Sequence, residues 1–250
     1  MRQRLLAGRF RRFSTTWAPQ TNDEARVLIC LWNRPARIHD ILTMLDGQEF
    51  AAGVRLYLWN NKREHLRTYR KAIAEFAPVG SLRGVELAQS PYNVGSIGRF
   101  YWARLIARRY PGGPVIILDD DQDVESTFVD RAIGSYDPQS VTAWWAWTIV
   151  GDRYWERREA GPHDVVDHIG PGGSVMPSTI FADDSFFTGI PDRFGLLDDI
   201  WLSYFAKTHG LSLAKLDLRI EFVMDETNQF HGQIDIKPAF YDYLYNNAEA

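Results

Sequence analysis

The chain has 250 residues, 45% apolar and 24% charged, enough for one sizeable α/β domain or two small ones. A formal net charge of −4 argues against nucleic acid as a partner, since that needs a basic field, and no stretch reaches the roughly 20 consecutive apolar residues of a membrane helix. The single cysteine, Cys30, excludes an intrachain disulfide and fits a reducing, cytoplasmic setting.

The opening "MRQRLLAGRFRRFSTTWAPQ" carries five arginines and no acid. It reads as a basic, solvated tail over 1–24. A peripheral contact with anionic lipid through Leu5, Leu6, Phe10 and Phe13, or an organellar transit peptide, shares that composition. "RVLICLW" (Arg26 to Trp32) then predicts a buried strand, and "NRPARIHDILTML" a turn and an amphipathic helix with Ile38, Ile41, Leu42 and Leu45 on one face. "VRLYLWNN" (Val54 to Asn61) is a second strand, followed by a helix bearing Leu66, Tyr69, Ile73 and Phe76. "GVELAQS" (Gly84 to Ser90) is a third, and Ile97, Tyr101 and Leu105 mark the next helix. "PVIILD" (Pro114 to Asp119) is the fourth strand. Strands alternating with helices in this way predict a doubly wound, mostly parallel sheet.

Ligands on such sheets collect at the carboxyl ends of the strands. Four of those ends are polar: Asn33-Arg34, Asn60-Asn61, Tyr92-Asn93 and Asp119 to Asp121. Beyond them, "SVTAWWAWTIV" (Ser140 to Val150) is β-prone, and its tryptophans read as core or as a sugar-stacking surface. The Gly/Pro-rich "HIGPGGSVMPSTIFADD", the helix in "LLDDIWLSYFAKTHG" and the strand "LRIEFVM" complete an acceptor-side half. The expected organisation is a single domain over 25–240, divided at about 125 into a nucleotide-binding and an acceptor half, with a C-terminal tail over 241–250.

The stretch "IILDDDQDVE" places five acids within seven residues at the end of a buried strand. Alternate residues of an extended backbone share a face, which pairs Asp119 with Asp121. Close carboxylates ionise together only where a cation neutralises them, and Mg²⁺ or Mn²⁺ suits such oxygen ligands and bridges readily to phosphates. Asp123 and Glu125 are expected to cap the following helix.

At this point the chain resembles GT-A glycosyltransferases. "IILDDDQDV" is similar to their DxD-type motif, and "CLWNRPARIHDILTML", "YLWNN", "NVGSIGRFYWAR" and "LLDDIWLS" follow in the order of that fold, from about Arg26 to Gly232. "LWNN" before a triple aspartate is similar to exostosin-type transferases, whereas the Asn-x-Gly segment is similar to the large inverting family of bacterial polysaccharide transferases. The resemblance implies a nucleotide-sugar donor and a glycan, lipid-linked or small-molecule hydroxyl acceptor. It implies Asp121, Asp119 and His231 at a divalent ion, and Asn33, Arg34, Asn61, Asn93, Arg99, Asp119 and Asp120 around the donor. Gly172 and Gly173 would lie where acceptor meets donor, and Asp199 or Asp198 would be the base. The pattern departs at Gln122, where many relatives carry an apolar residue, and at Asp198, where Glu is commoner. Two other readings compete: a haloacid-dehalogenase-type phosphatase, whose motif lacks an acid at the position of Asp123, and a non-catalytic sugar- or nucleotide-binding module.

Overall fold

The structure, a computed structural model, describes residues 2–223 and 235–246. A short helix α1 (Arg2–Leu6) leads into strand β1 (Arg11–Thr16). Three strand–helix units follow: β2 (Ala25–Leu31) with α2 (Ile38–Asp46), β3 (Val54–Asn60) with α3 (Leu66–Glu75), and β4 (Leu82–Gln89) with α4 (Gly98–Arg109). Next come β5 (Pro114–Asp119), β6 (Gln122–Val124) and α5 (Phe128–Gly134). The second half supplies β7 (Ser140–Ala143), β8 (Ala146–Ile149), β9 (Arg157–Glu159), β10 (His168–Ile169), β11 (Ser174–Pro177) and α6 (Ser185–Thr188). It closes with α7 (Asp198–Thr208), β12 (Ser212–Lys215), β13 (Ile220–Phe222) and α8 (Lys237–Tyr245).

Eight strands form one sheet in the order β1-β4-β3-β2-β5-β11-β7-β12. The central β4, β3, β2 and β5 are parallel, while β1 and β11 run against their neighbours. Helices cover both faces, so the central strands are near-continuous apolar runs. Their side chains alternate between two cores. Leu28, Tyr57, Trp59 and Ile117 join α4 and α7 on one face; Ile29, Leu58, Leu118, Tyr69 and Phe128 fill the other. The expected doubly wound, mostly parallel α/β architecture is what the chain adopts, and its one large sheet draws strands from both halves.

Strand register brings the polar ends level. Cys30 pairs with Asp119 on one side and Trp59 on the other, and Asn60 pairs with Gln89. The strand order reverses between β2 and β5, the position at which an open α/β sheet leaves a crevice.

Both chain ends correct the sequence reading. Residues 2–16 are not a solvated tail: Leu5 and Leu6 are 2% and 3% exposed, Arg104 Nε donates to the Leu6 carbonyl, and β1 pairs with β4 along its whole length. The apolar residues assigned to a lipid contact are therefore spent on the fold, with Phe10 packed edge-on against Trp59 and Trp102. At the other end α8 spans the boundary set at 240 and buries Phe240 and Leu244. "SVTAWWAWTIV" is two strands in different sheets, because Trp144 and Trp145 break the run. Among the described residues no helix is long and apolar enough to cross a membrane.

Candidate active site

A cavity of about 340 Å³ opens at the carboxyl edge between β2 and β5. Of the residues expected at a donor site, Arg34, Asn61, Asn93, Asp119, Asp120 and Asp121 all reach its wall. Asn33, Arg99, Gly172, Gly173, Asp198 and Asp199 lie off this wall, and His231 lies outside the described residues.

The three aspartates have three different environments. Asp119, with its side chain 38% exposed, accepts from Arg99 Nη1, and its backbone N–H donates to Gln122 Oε1 at 2.9 Å. Asp120 is buried and spends both oxygens within the protein, accepting from Trp32 N and Arg34 Nη1 at 2.7 Å each. Burial pushes its pKa up to about 7 against the pull of those two partners. It fastens the loop after β2. Asp121 faces Arg34 Nη2 at 3.2 Å, and burial, followed by the charge of Asp119, raises its carboxyl above the usual range.

Gln122, the departure from the family pattern, is the buried prop of this loop. It is 1% exposed, accepts from the Asp119 N–H, and its Nε2 has no hydrogen-bond partner among the described residues. Asp123 and Glu125 do not cap the next helix; they pair with Arg37 and Arg131.

β11 runs antiparallel to β5, with Gly173 N–H donating to Ile117 O at 2.8 Å, and so delivers the glycine loop to the acids. A Cβ on Gly172 would sit 2.1 Å from Asp119 Oδ2. Gly173, at φ +77°, backs onto Ile220 and Trp144 instead. β13 pairs with β6, and Val223 N–H donates to Asp121 O at 2.7 Å, which brings Phe222 to the rim.

Two residues expected near the ligand also brace the fold. Asn61 uses its whole amide internally: Nδ2 donates to Gly95 O and Cys30 Sγ, and Oδ1 accepts from Trp59 Nε1 and Val94 N. Arg99, 2% exposed, donates to Leu118 O, to Asp119 and to Asp198 Oδ2, so its guanidinium is committed to these internal partners. Asn93 is exposed on the wall and accepts from Gly95 N–H at 2.8 Å. Asn33, at φ 55°, accepts from Lys62 Nζ at 2.7 Å.

The acids that open α7 diverge. Asp198 is buried, accepts from Ser96 Oγ at 2.5 Å and from Arg99 Nη2 at 3.0 Å, and burial raises its pKa despite Arg99. Ser96 is on the cavity wall, and Asp198 stands behind it. Asp199 points elsewhere, to Lys237 and, at 3.8 Å, to His168 Nε2. Burial, its largest influence, opposes ionisation, but the charge and hydrogen bond of Lys237 lead the influences that outweigh it, and the pKa falls below the ordinary value. His168 is itself lowered to about 3 by burial, and it contacts Tyr154 OH at 3.2 Å and Ser203 Oγ at 3.1 Å.

Sequence reading did not single out Ser96, Leu196 and Phe222 on the wall or Lys237 at Asp199. Trp145, flagged only as one of a cluster, is 41% exposed there, its ring tilted against that of Phe222 at 5.2 Å. Among the described residues no group of three or more His, Cys, Asp or Glu gathers as a metal cage. Asp119 and Asp121 still fit a hard divalent ion, since such ions are commonly held by one or two carboxylates together with substrate phosphates.

No protein-family model and no curated protein matches the sequence. Solved structures do match the fold. The S. aureus TarS 1–349 structure superposes with a TM-score of 0.51 over 77% of this chain and 58% of its own, at 14% identity. The mannosyltransferase PcManGT from Pyrobaculum calidifontis, solved in complex with GDP-Man and Mn²⁺, gives 0.56 over 86% of this chain and 62% of its own, at 12% identity. The chain thus spans about 60% of the length of these structures. The likeness identifies the architecture as GT-A-like.

Proposed function

We propose that the cavity binds a nucleotide-sugar donor and that the chain transfers the sugar to a hydroxyl acceptor. One observation carries this reading: Asp119 and Asp121 face a common cavity at the switch point of a GT-A-like sheet, beside Asn93 and below an exposed tryptophan. A protein of like fold solved with GDP-Man and Mn²⁺ supports the same class of ligand.

Asp121 and Asp119 would hold Mn²⁺ or Mg²⁺, which when bound supplies Lewis-acid stabilisation of the leaving diphosphate. Arg99 fixes the Asp119 carboxylate, and Gln122 fixes its backbone. Arg34 and Asn93 flank the donor, and Gly172 leaves room beside Asp119 for donor and acceptor to meet. Asp199 is the base of this reading, and Lys237 keeps it ionised, as proton acceptance requires. The acceptor is a glycan, a lipid-linked sugar or a small hydroxyl compound in the cytoplasm.

The test is a panel of nucleotide sugars with and without Mn²⁺, read first as a rise in melting temperature and then as acceptor-dependent release of nucleoside diphosphate. Absence of any metal-dependent shift across the panel would remove the donor site. A second reading, a binding module without turnover, is favoured by the internal ion pairs of Asp198 and Asp199. Donor binding with no release, whatever the acceptor, would select it.

A further inference from the structure

The edge strand β1, neighbouring β4 and helix α4 enclose a second cavity of about 640 Å³, larger than the one at the acidic loop. In the β1–β4 register Arg12 lies across from Ala88 and Ser14 from Glu86. Strand alternation sends Phe10, Arg12 and Ser14 to the face that α4 covers. Phe10 closes one end by packing on Trp59 and Trp102. Arg109, in the last turn of α4, reaches the same space from the opposite side.

The charge in this groove is unbalanced. Arg12 and Arg109 are both exposed and, among the described residues, neither has a carboxylate partner; their contacts are with the rings of Phe10 and Tyr110. A third guanidinium stands behind the wall. Arg26 is 3% exposed, its centre is 3.9 Å from the Tyr110 ring centroid, and its Nε has no hydrogen-bond partner among the described residues. The acid on the wall, Glu86, is already held by Ser14 Oγ at 2.5 Å. Tyr57, 5% exposed, lines the groove with a hydroxyl that accepts from Gln20 Nε2 at 3.1 Å and keeps its own proton to donate.

Charges on an edge strand, inward-pointing ones included, resist pairing with another chain, a role open to Arg12 on β1 but not to Arg109 on α4. Guanidinium groups in a concave, aromatic-walled site, with a phenol beside them, are suited to a phosphate oxygen fork. We infer that this groove binds a phosphate group, independently of the proposed donor site. The phosphate can come from a soluble phosphorylated compound or from an anionic lipid headgroup; Arg11 and Arg108, next in the chain to Arg12 and Arg109, are exposed as well.

The experiment uses the full chain in a metal chelator, which silences phosphate binding through a divalent ion. Inorganic phosphate is titrated calorimetrically, and vesicles of phosphatidylglycerol are compared with vesicles of phosphatidylcholine by co-sedimentation. The variant is Arg12→Gln with Arg109→Gln, two exposed positions, checked by its melting curve. The expected result is binding of at least one probe to the unaltered chain, weakened roughly tenfold or more in the double variant and kept in Asp121→Asn. Binding of free phosphate assigns a soluble ligand, and binding of phosphatidylglycerol vesicles alone assigns a headgroup. The inference is overturned if neither probe binds, if the double variant binds as the unaltered chain does, or if Asp121→Asn abolishes binding.

Discussion

Asp119 on β5 and Asp198 on α7 are held by the two terminal nitrogens of one buried guanidinium, that of Arg99. This tie joins the proposed donor edge to the helix that carries the proposed base. Arg99→Met leaves Asp198 buried without a cation, which for a buried pair costs about 3–5 kcal/mol. The Asp119 half is partly exposed and contributes less of that. Arg99→Lys recovers a part, since a compact ammonium reaches one carboxylate where the planar fork spans two. Urea unfolding measures both; a loss under about 1 kcal/mol in the Met variant would show that the tie holds nothing together.

Asp121→Asn separates metal binding from folding. The change removes one member of a repelling pair while Asp120 keeps Arg34 in place, so the melting temperature without metal holds or rises. Mn²⁺-dependent donor stabilisation disappears, and turnover falls by about 100–1000-fold, the usual effect of losing charge stabilisation at a leaving group. An unchanged Mn²⁺ shift would place the metal elsewhere.

The paired glycines make opposite predictions. Gly172→Ala puts a methyl 2.1 Å from Asp119 Oδ2 and 2.9 Å from Gln122 Nε2, atoms of side chains that can move, so the fold survives while the acid is displaced and donor affinity falls. Gly173→Ala is strained by its φ of +77° and meets Ile220 Cδ1 at 2.3 Å. It costs stability, about 1–2 kcal/mol from the backbone alone, and leaves the Asp119 carboxylate where it was. Equal loss of stability in the two variants would contradict this division.

The sheet was legible in the sequence because β2, β3 and β5 are apolar on both faces, as Leu28 and Ile29 show by entering opposite cores. The place of the site was legible too, since Asp119 to Asp121 end a buried strand. What each polar residue does there was not. Asn61 and Arg99 were read toward a ligand, but hydrogen-bond saturation depends on residues far along the chain, Gly95 and Asp198 among them. Arginine-rich residues 2–16 misled because composition reports charge and not the pairing of β1 with β4. Phe222 and Lys237 come to the site through strand pairing and helix packing that no local pattern announces.

Two buried groups give the acid limb of stability opposite slopes. His168 is lowered to about 3, whereas an unfolded histidine titrates near 6.5; between those values the unfolded chain binds more protons, so stability falls as pH drops below about 6.5. Asp120 is raised to about 7 against about 3.9 unfolded, so the native chain binds more protons over that window and stability rises as pH falls from about 7. Raised Asp121 and Asp198 act in the sense of Asp120. Unfolding curves at pH 6.5 and about 4.5 should therefore show His168→Gln gaining stability on acidification relative to the unaltered chain, and Asp120→Asn losing it. Parallel behaviour of the two variants would refute the assignment.

Asp199 carries the last and most exposed prediction. A carboxylate whose pKa lies below the ordinary value is reliably charged at neutral pH but is a weak proton acceptor. Lys237 both holds it ionised and limits its strength. If Asp199 is the base, Asp199→Asn leaves the donor-induced melting shift intact and lowers kcat by about 100–10,000-fold, the span of general-base contributions. Lys237→Met then raises the Asp199 pKa, because its largest counterweight to burial is gone, and moves the acid limb of the kcat profile to higher pH. If instead Asp198 is the base, Asp199→Asn is mild and Asp198→Asn stops turnover, with a stability loss from the unpaired Arg99 that the Asp199 variant does not share. Steady-state kinetics and melting curves on the two asparagine variants decide between the neighbours, and full activity in both would remove the two aspartates from the base's role.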